Sequence, residues 1–83
     1  MNKLETLQSA LTARNDEIEG YQINIDNYTR AIAKIDAEHA DNPAMVDFAN
    51  NLKEMLEQHK IEQLKTIIIR DVIADQIPES EVS

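Results

Sequence analysis

Residues 4–35, LETLQSALTARNDEIEGYQINIDNYTRAIAKI, carry the periodicity that decides the fold. Leu4, Leu11, Ile18, Ile25 and Ile32 recur every seven residues, and Leu7, Arg14, Tyr21, Tyr28 and Ile35 repeat the pattern three positions later. Nine of these ten positions are apolar or aromatic. Alternating steps of three and four keep side chains on one side of an α-helix, so the pattern predicts one long helix with a coiled-coil-like seam. Asn2 followed by Glu5 has the spacing of a helix-starting cap, which sets the expected helix at residues 3–39.

Working outward, the next break is Asp41-Asn42-Pro43. Asn42 is an N-cap residue and Pro43 suits the first helical position, where a missing N–H costs nothing. The turn is expected at 40–43 and a second helix at 44–77, closed by Pro78 and followed by a disordered acidic tail at 78–83. So short a link makes the helices antiparallel neighbours. The fold class is therefore all-α, an antiparallel two-helix hairpin in a single domain spanning 1–83. Folding near residue 41 pairs positions whose numbers sum to about 82. Ile35 then meets Asp47 and Phe48, Tyr28 meets Met55, Ile18 meets Leu64, and Leu7 meets Ile73 to Ile77.

The second helix is less regular. Met45, Phe48, Ala49, Leu52, Met55, Leu56 and His59 form one stripe, from which Phe48, Leu52, Met55 and Leu56 are expected to complete the hairpin seam. Beyond Lys60 a second apolar face begins with Ile61, Leu64, Ile68 and Val72, while Ile67, Ile73 and Ile77 continue the first and Ile69 lies between the two. Thr66 to Ile69 is β-branched throughout but has no partner strand, so helix is retained. A helix apolar on both sides must be covered on both. The expected solution is a homodimer, two hairpins forming a four-helix bundle, with Ile61, Leu64, Ile68, Ile69 and Val72 as the dimer or partner interface. A helix of another protein laid into the same face is the alternative.

Composition narrows the function. Eight Lys/Arg against sixteen Asp/Glu give a net charge of −8, divided equally between residues 1–42 and 43–83. Such a surface repels phosphate backbones and anionic lipids, so neither direct nucleic-acid binding nor membrane association is expected. There is no cysteine, no apolar leader at the start of the chain and no apolar run that spans a bilayer, and a cytoplasmic location is expected. One glycine and two prolines leave little loop on which to build an active site.

The residues able to carry chemistry read more simply as structural. Arg14 is the one charge in the seam of the first helix; with Asp71 as its nearest expected carboxylate, it reads as setting register or orientation. Tyr21 and Tyr28 are expected in the core with hydroxyls at its edge. Asp36-x-x-His39 and His59-x-x-Glu62 each place two ligand types on one face, but only His59 approaches the apolar stripe, so no metal site is expected. His59 itself is expected to share its proton with Gln63, Glu62 or water. Gly20 marks a bend, a close helix approach or nothing. Ser9, Ser80 and Ser83 lack a histidine and carboxylate around them, and no glycine-rich phosphate loop is present. The chain reads as non-enzymatic, without catalytic residues or cofactor.

As a whole, this acidic helical hairpin without cysteine or tryptophan resembles the small accessory proteins of bacteriophages and prophages. That resemblance implies a protein that binds and redirects a host protein in the host cytoplasm. The turn Asp41-Asn42-Pro43 followed by a long second helix also resembles the needle subunits of type III secretion, with one proline in the turn where that family typically has two. This second resemblance implies a filament or secretion-apparatus subunit, or its chaperone. Acidity alone gives a further alternative, an inhibitor that mimics DNA in a basic groove.

Overall fold

The computed structural model describes residues 2–78. Two α-helices, α1 (Lys3–Glu38) and α2 (Pro43–Asp75), make up the described chain, and no strand occurs among the described residues. They lie antiparallel in a rod of 58 × 19 × 18 Å.

The helix ends follow from their caps. Asn2 Oδ1 accepts from Glu5 N–H at 2.8 Å. At the second start Asn42 Oδ1 accepts from Ala44 N–H at 3.1 Å and Met45 N–H at 3.4 Å, with Pro43 at the first helical position. Each cap satisfies donors that the first turn leaves orphaned. His39 N–H closes α1 on Ile35 O at 2.7 Å, and Asn42 N–H reaches His39 O at 3.0 Å. The reversal needs no left-handed residue, which is why it needs no glycine.

α2 stops at Asp75, two residues before the expected end. Gln76 N–H bonds Ile73 O and Ile77 N–H bonds Ala74 O, both at 3.1 Å, so the last turn tightens to i→i−3 bonds. Ile77 precedes Pro78, whose ring disfavours helical torsions one residue back. The acidic tail expected at 78–83 lies, apart from Pro78, outside the described residues.

The seam is a pair of strict three-four ladders. On α1 it is the ten positions from Leu4 to Ile35, each buried or half-buried. On α2 it runs through Met45, Ala49, Leu52, Leu56, His59, Gln63, Thr66, Arg70 and Ile73, and continues to Ile77 just beyond the helix, again all buried or half-buried. The tightest packing is beside the turn, where Ile35, Ala49 and Leu52 form the core cluster with Tyr28, Ala31, Ile32 and Met45 against it.

Two expected seam residues are not in it. Phe48 and Met55 are 48% and 44% exposed. A single partner helix covers a narrow strip of α2, and these two sit on its rim while Ala49, Leu52 and Leu56 take the centre. Contacts across the seam shift to match. Ile35 packs on Ala49 and Leu52 rather than Asp47 and Phe48. Tyr28 meets His59 rather than Met55. Ile18 is approached by Gln63, because Leu64 points outward. Gly20 is exposed, and an added Cβ would meet nothing within 4 Å, so no close helix approach accounts for it.

Candidate interaction surface

Within α2 the distribution of apolar side chains changes at His59. Up to Leu56 the inward positions are apolar. From His59 to Arg70 the inward ladder is His59, Gln63, Thr66 and Arg70, Ile67 stays half-buried beside it, and Ile61, Leu64 and Ile68 move to the opposite side.

The polar inward positions are satisfied largely by neighbours. His59 Nδ1 lies 2.9 Å from Met55 O, while Gln63, one of the partners expected beside Glu62 and water, bonds across the hairpin instead. Its ring stands edge-on between Tyr21 and Tyr28, with centroids 5.8 and 5.1 Å away and planes inclined by 74° and 79°. Such T-shaped contacts add favourable quadrupole energy beyond their buried area. Gln63 Nε2 donates across the hairpin to Gln22 Oε1 at 3.0 Å and Ile18 O at 3.3 Å. Arg70 Nη1 reaches Asn15 Oδ1 at 3.4 Å. Thr66 Oγ1 turns back to Glu62 O at 2.9 Å.

Arg14 does not pair with Asp71. Its guanidinium bonds Glu17 on its own helix at 2.7 Å, and its buried Nε has no partner. Asp71 is held by Arg70 at 3.0 Å. An arginine has a ready partner one turn along its own helix, and Asp71 is exposed outside the seam, where the adjacent Arg70 holds it.

The displaced apolar residues form the surface. Ile61, Leu64, Ile68 and Val72 follow one another at steps of three, four and four, and with Ile69 on one edge they are between 49% and 59% exposed. At about 100° per residue they project from the side of α2 opposite the seam. Lys60 and Asp71 flank the stripe on one side and Lys65 on the other, while Glu57 and Asp75 stand in line with it at its two ends. The ion pairs among the described residues all lie within one helix, including Lys60–Glu57 at 3.4 Å and Lys65–Glu62 at 3.2 Å. Exposed pairs of this kind contribute little to stability and yield readily to another partner.

Sequence reasoning located this stripe but missed its counterpart, the polar run facing α1. The signal was present: His59, Gln63, Thr66 and Arg70 extend the same three-four ladder as Met45, Ala49, Leu52 and Leu56.

Other features carry less chemistry. A shallow, open groove at the free end of the hairpin is lined by Lys3, Leu4, Leu7, Gln76 and Pro78, and an open depression on α1 by Glu5, Gln8, Ser9 and Thr12. Among the described residues no three His, Asp or Glu side chains gather where a metal ion would sit, and no helix is long and apolar enough to cross a membrane. No protein-family model matches the chain, and no curated protein or solved structure is significantly similar to it.

Proposed function

We propose that this chain is a non-enzymatic protein–protein interaction module whose first partner is a second copy of itself, joined α2 to α2 through Ile61, Leu64, Ile68 and Val72 into a four-helix assembly. The observation that carries this reading is the outward stripe: single exposed apolar residues are ordinary, whereas a contiguous row rimmed by charge marks a contact surface. A symmetric pair covers the row with itself, which is the simplest way to remove it from water. Lipid is the poorer occupant, since a net charge of −8 opposes anionic headgroups. The acidic hairpin format supports a phage-type accessory role in which the assembled dimer then engages a host protein.

Sedimentation velocity over a hundredfold concentration range tests the self-association. The expected species has twice the 9.5 kDa chain mass. Ile68→Asp places a charge in the centre of the stripe and is expected to leave a helical monomer at micromolar concentration. A wild-type monomer overturns the dimer. A variant that stays dimeric moves the contact elsewhere, and growth without limit makes the chain a filament subunit.

A further inference from the structure

The stripe also carries information about direction. We propose that the two copies cross it antiparallel, with Lys60 of each against Asp71 of the other; this deepens the dimer reading and rests on it.

Two observations favour that direction. The apolar row is nearly the same read backwards, so an antiparallel copy centred at the level of Thr66 sets Leu64 against Ile68 and Ile61 within one residue of Val72. The flanking charges are the second. Lys60 and Asp71 project on the same side of the row at about 100° per residue, and Lys65 projects on the other. A two-fold axis perpendicular to both helices keeps each flank facing its own equivalent. Lys60 then opposes Asp71 of the other copy, twice per dimer. In a parallel pair the flanks exchange, and Lys60 faces Lys65 of the other copy, the position five residues on where interhelical charges meet. That arrangement sets like charges together twice.

Neither Lys60 nor Asp71 must leave a buried contact to do this. Their side chains are 51% and 60% exposed, and their present partners, Glu57 and Arg70, are neighbours on the same helix. Glu57 and Asp75 do come opposite one another as like charges. They lie beyond the apolar row and so confine close contact to the stretch from Ile61 to Val72.

The absence of cysteine makes the test direct, since each introduced thiol is unique. Ile61→Cys and Val72→Cys are prepared separately, mixed or left apart at a concentration where the unmodified chain is dimeric, and oxidised. In an antiparallel pair two thiols at position 61 stand about 15 Å apart along the axis, too far for a disulfide, which needs Cα atoms within about 7 Å. The expected result is a covalent dimer from the mixture, at least about tenfold in excess of either variant alone. Lys60→Glu is expected to weaken association roughly tenfold through its two symmetry-related pairs, and Lys60→Glu with Asp71→Lys to restore it. Efficient self-crosslinking of each single variant overturns the direction and leaves the dimer standing. No crosslink in any sample, with the unmodified chain still dimeric, removes the stripe as the contact. A monomeric unmodified chain defeats the dimer reading itself.

Discussion

The two halves of α2 face the same neighbour in opposite ways. From Met45 to Leu56 the helix turns apolar side chains toward α1 and leaves Phe48 and Met55 on the rim. From His59 to Val72 it turns His59, Gln63, Thr66 and Arg70 inward and Ile61, Leu64, Ile68, Ile69 and Val72 outward, with Ile67 half-buried between, although α1 still offers Leu11, Ile18 and Tyr21 across the seam. A helix serving the hairpin alone would put its isoleucines inside. The hairpin is therefore held by hydrophobic packing near the turn, by hydrogen bonds along its middle stretch, and by apolar residues again, Ile73 and Ile77, at its free end. The row of exposed apolar side chains from Ile61 to Val72 lies on the opposite face.

The largest effect should come from the half that packs inward. Leu52 is 5% exposed in the core cluster with Ile35 and Ala49. Leu52→Ala loses its transfer energy and opens a cavity, an expected cost of about 2–4 kcal/mol. In a two-helix chain that is a large share of total stability. Urea unfolding followed by circular dichroism should show a loss that is the same at every protein concentration. If the loss shrinks as concentration rises, the turn-proximal core belongs to the assembly as well, and the contrast between the halves is weaker than drawn.

A smaller effect of opposite sign tests the polar half. Gln63→Leu replaces a half-buried amide, hydrogen-bonded to Gln22 and Ile18 O, with a side chain suited to the seam. Gln22 is exposed and regains water, and Ile18 O belongs to a helix that already uses it. The expected change is a gain of about 1 kcal/mol, because exchanging a polar contact for an apolar one of similar shape is neutral or stabilising. A loss of that size in the same unfolding experiment means the polar run is needed to hold the hairpin in register.

How much of this was legible without coordinates follows from the same contrast. α1 was readable throughout because its apolar residues occupy one ladder, and both helix starts were readable because Asn2 and the Asn42-Pro43 pair are local signals. Phe48 and Met55 were misplaced because their stripe is wider than one helix covers, and only packing decides which of its columns is central. The Arg14–Asp71 pairing failed for a related reason. The expected register brings the two near each other, but Glu17 lies one turn from Arg14 and Arg70 is adjacent to Asp71, so each charge is satisfied on its own helix. The outward stripe was legible as a set of residues. Its meaning was not, because a hydrophobic pattern says that a face must be covered and is silent on what covers it.

The smallest expected effect falls on Ile23, the one large apolar residue of α1 that points away from the seam among the described residues, at 53% exposed. By exposure alone it matches Ile68. It differs in its surroundings: Asp16, Glu19, Asp26, Asn27 and Arg30 occupy the neighbouring outward positions, so no apolar row passes through it. An isolated exposed isoleucine has little to gain from a partner, since the area it removes from water is confined to one side chain. Ile23→Ser is therefore expected to change stability by less than about 0.5 kcal/mol and to leave the sedimenting mass unaltered. Ile68→Ser in parallel should shift the dimer toward monomer. If Ile23→Ser shifts it equally, the outer face of α1 is part of the contact, and the dimer is built by both helices rather than by the far half of α2.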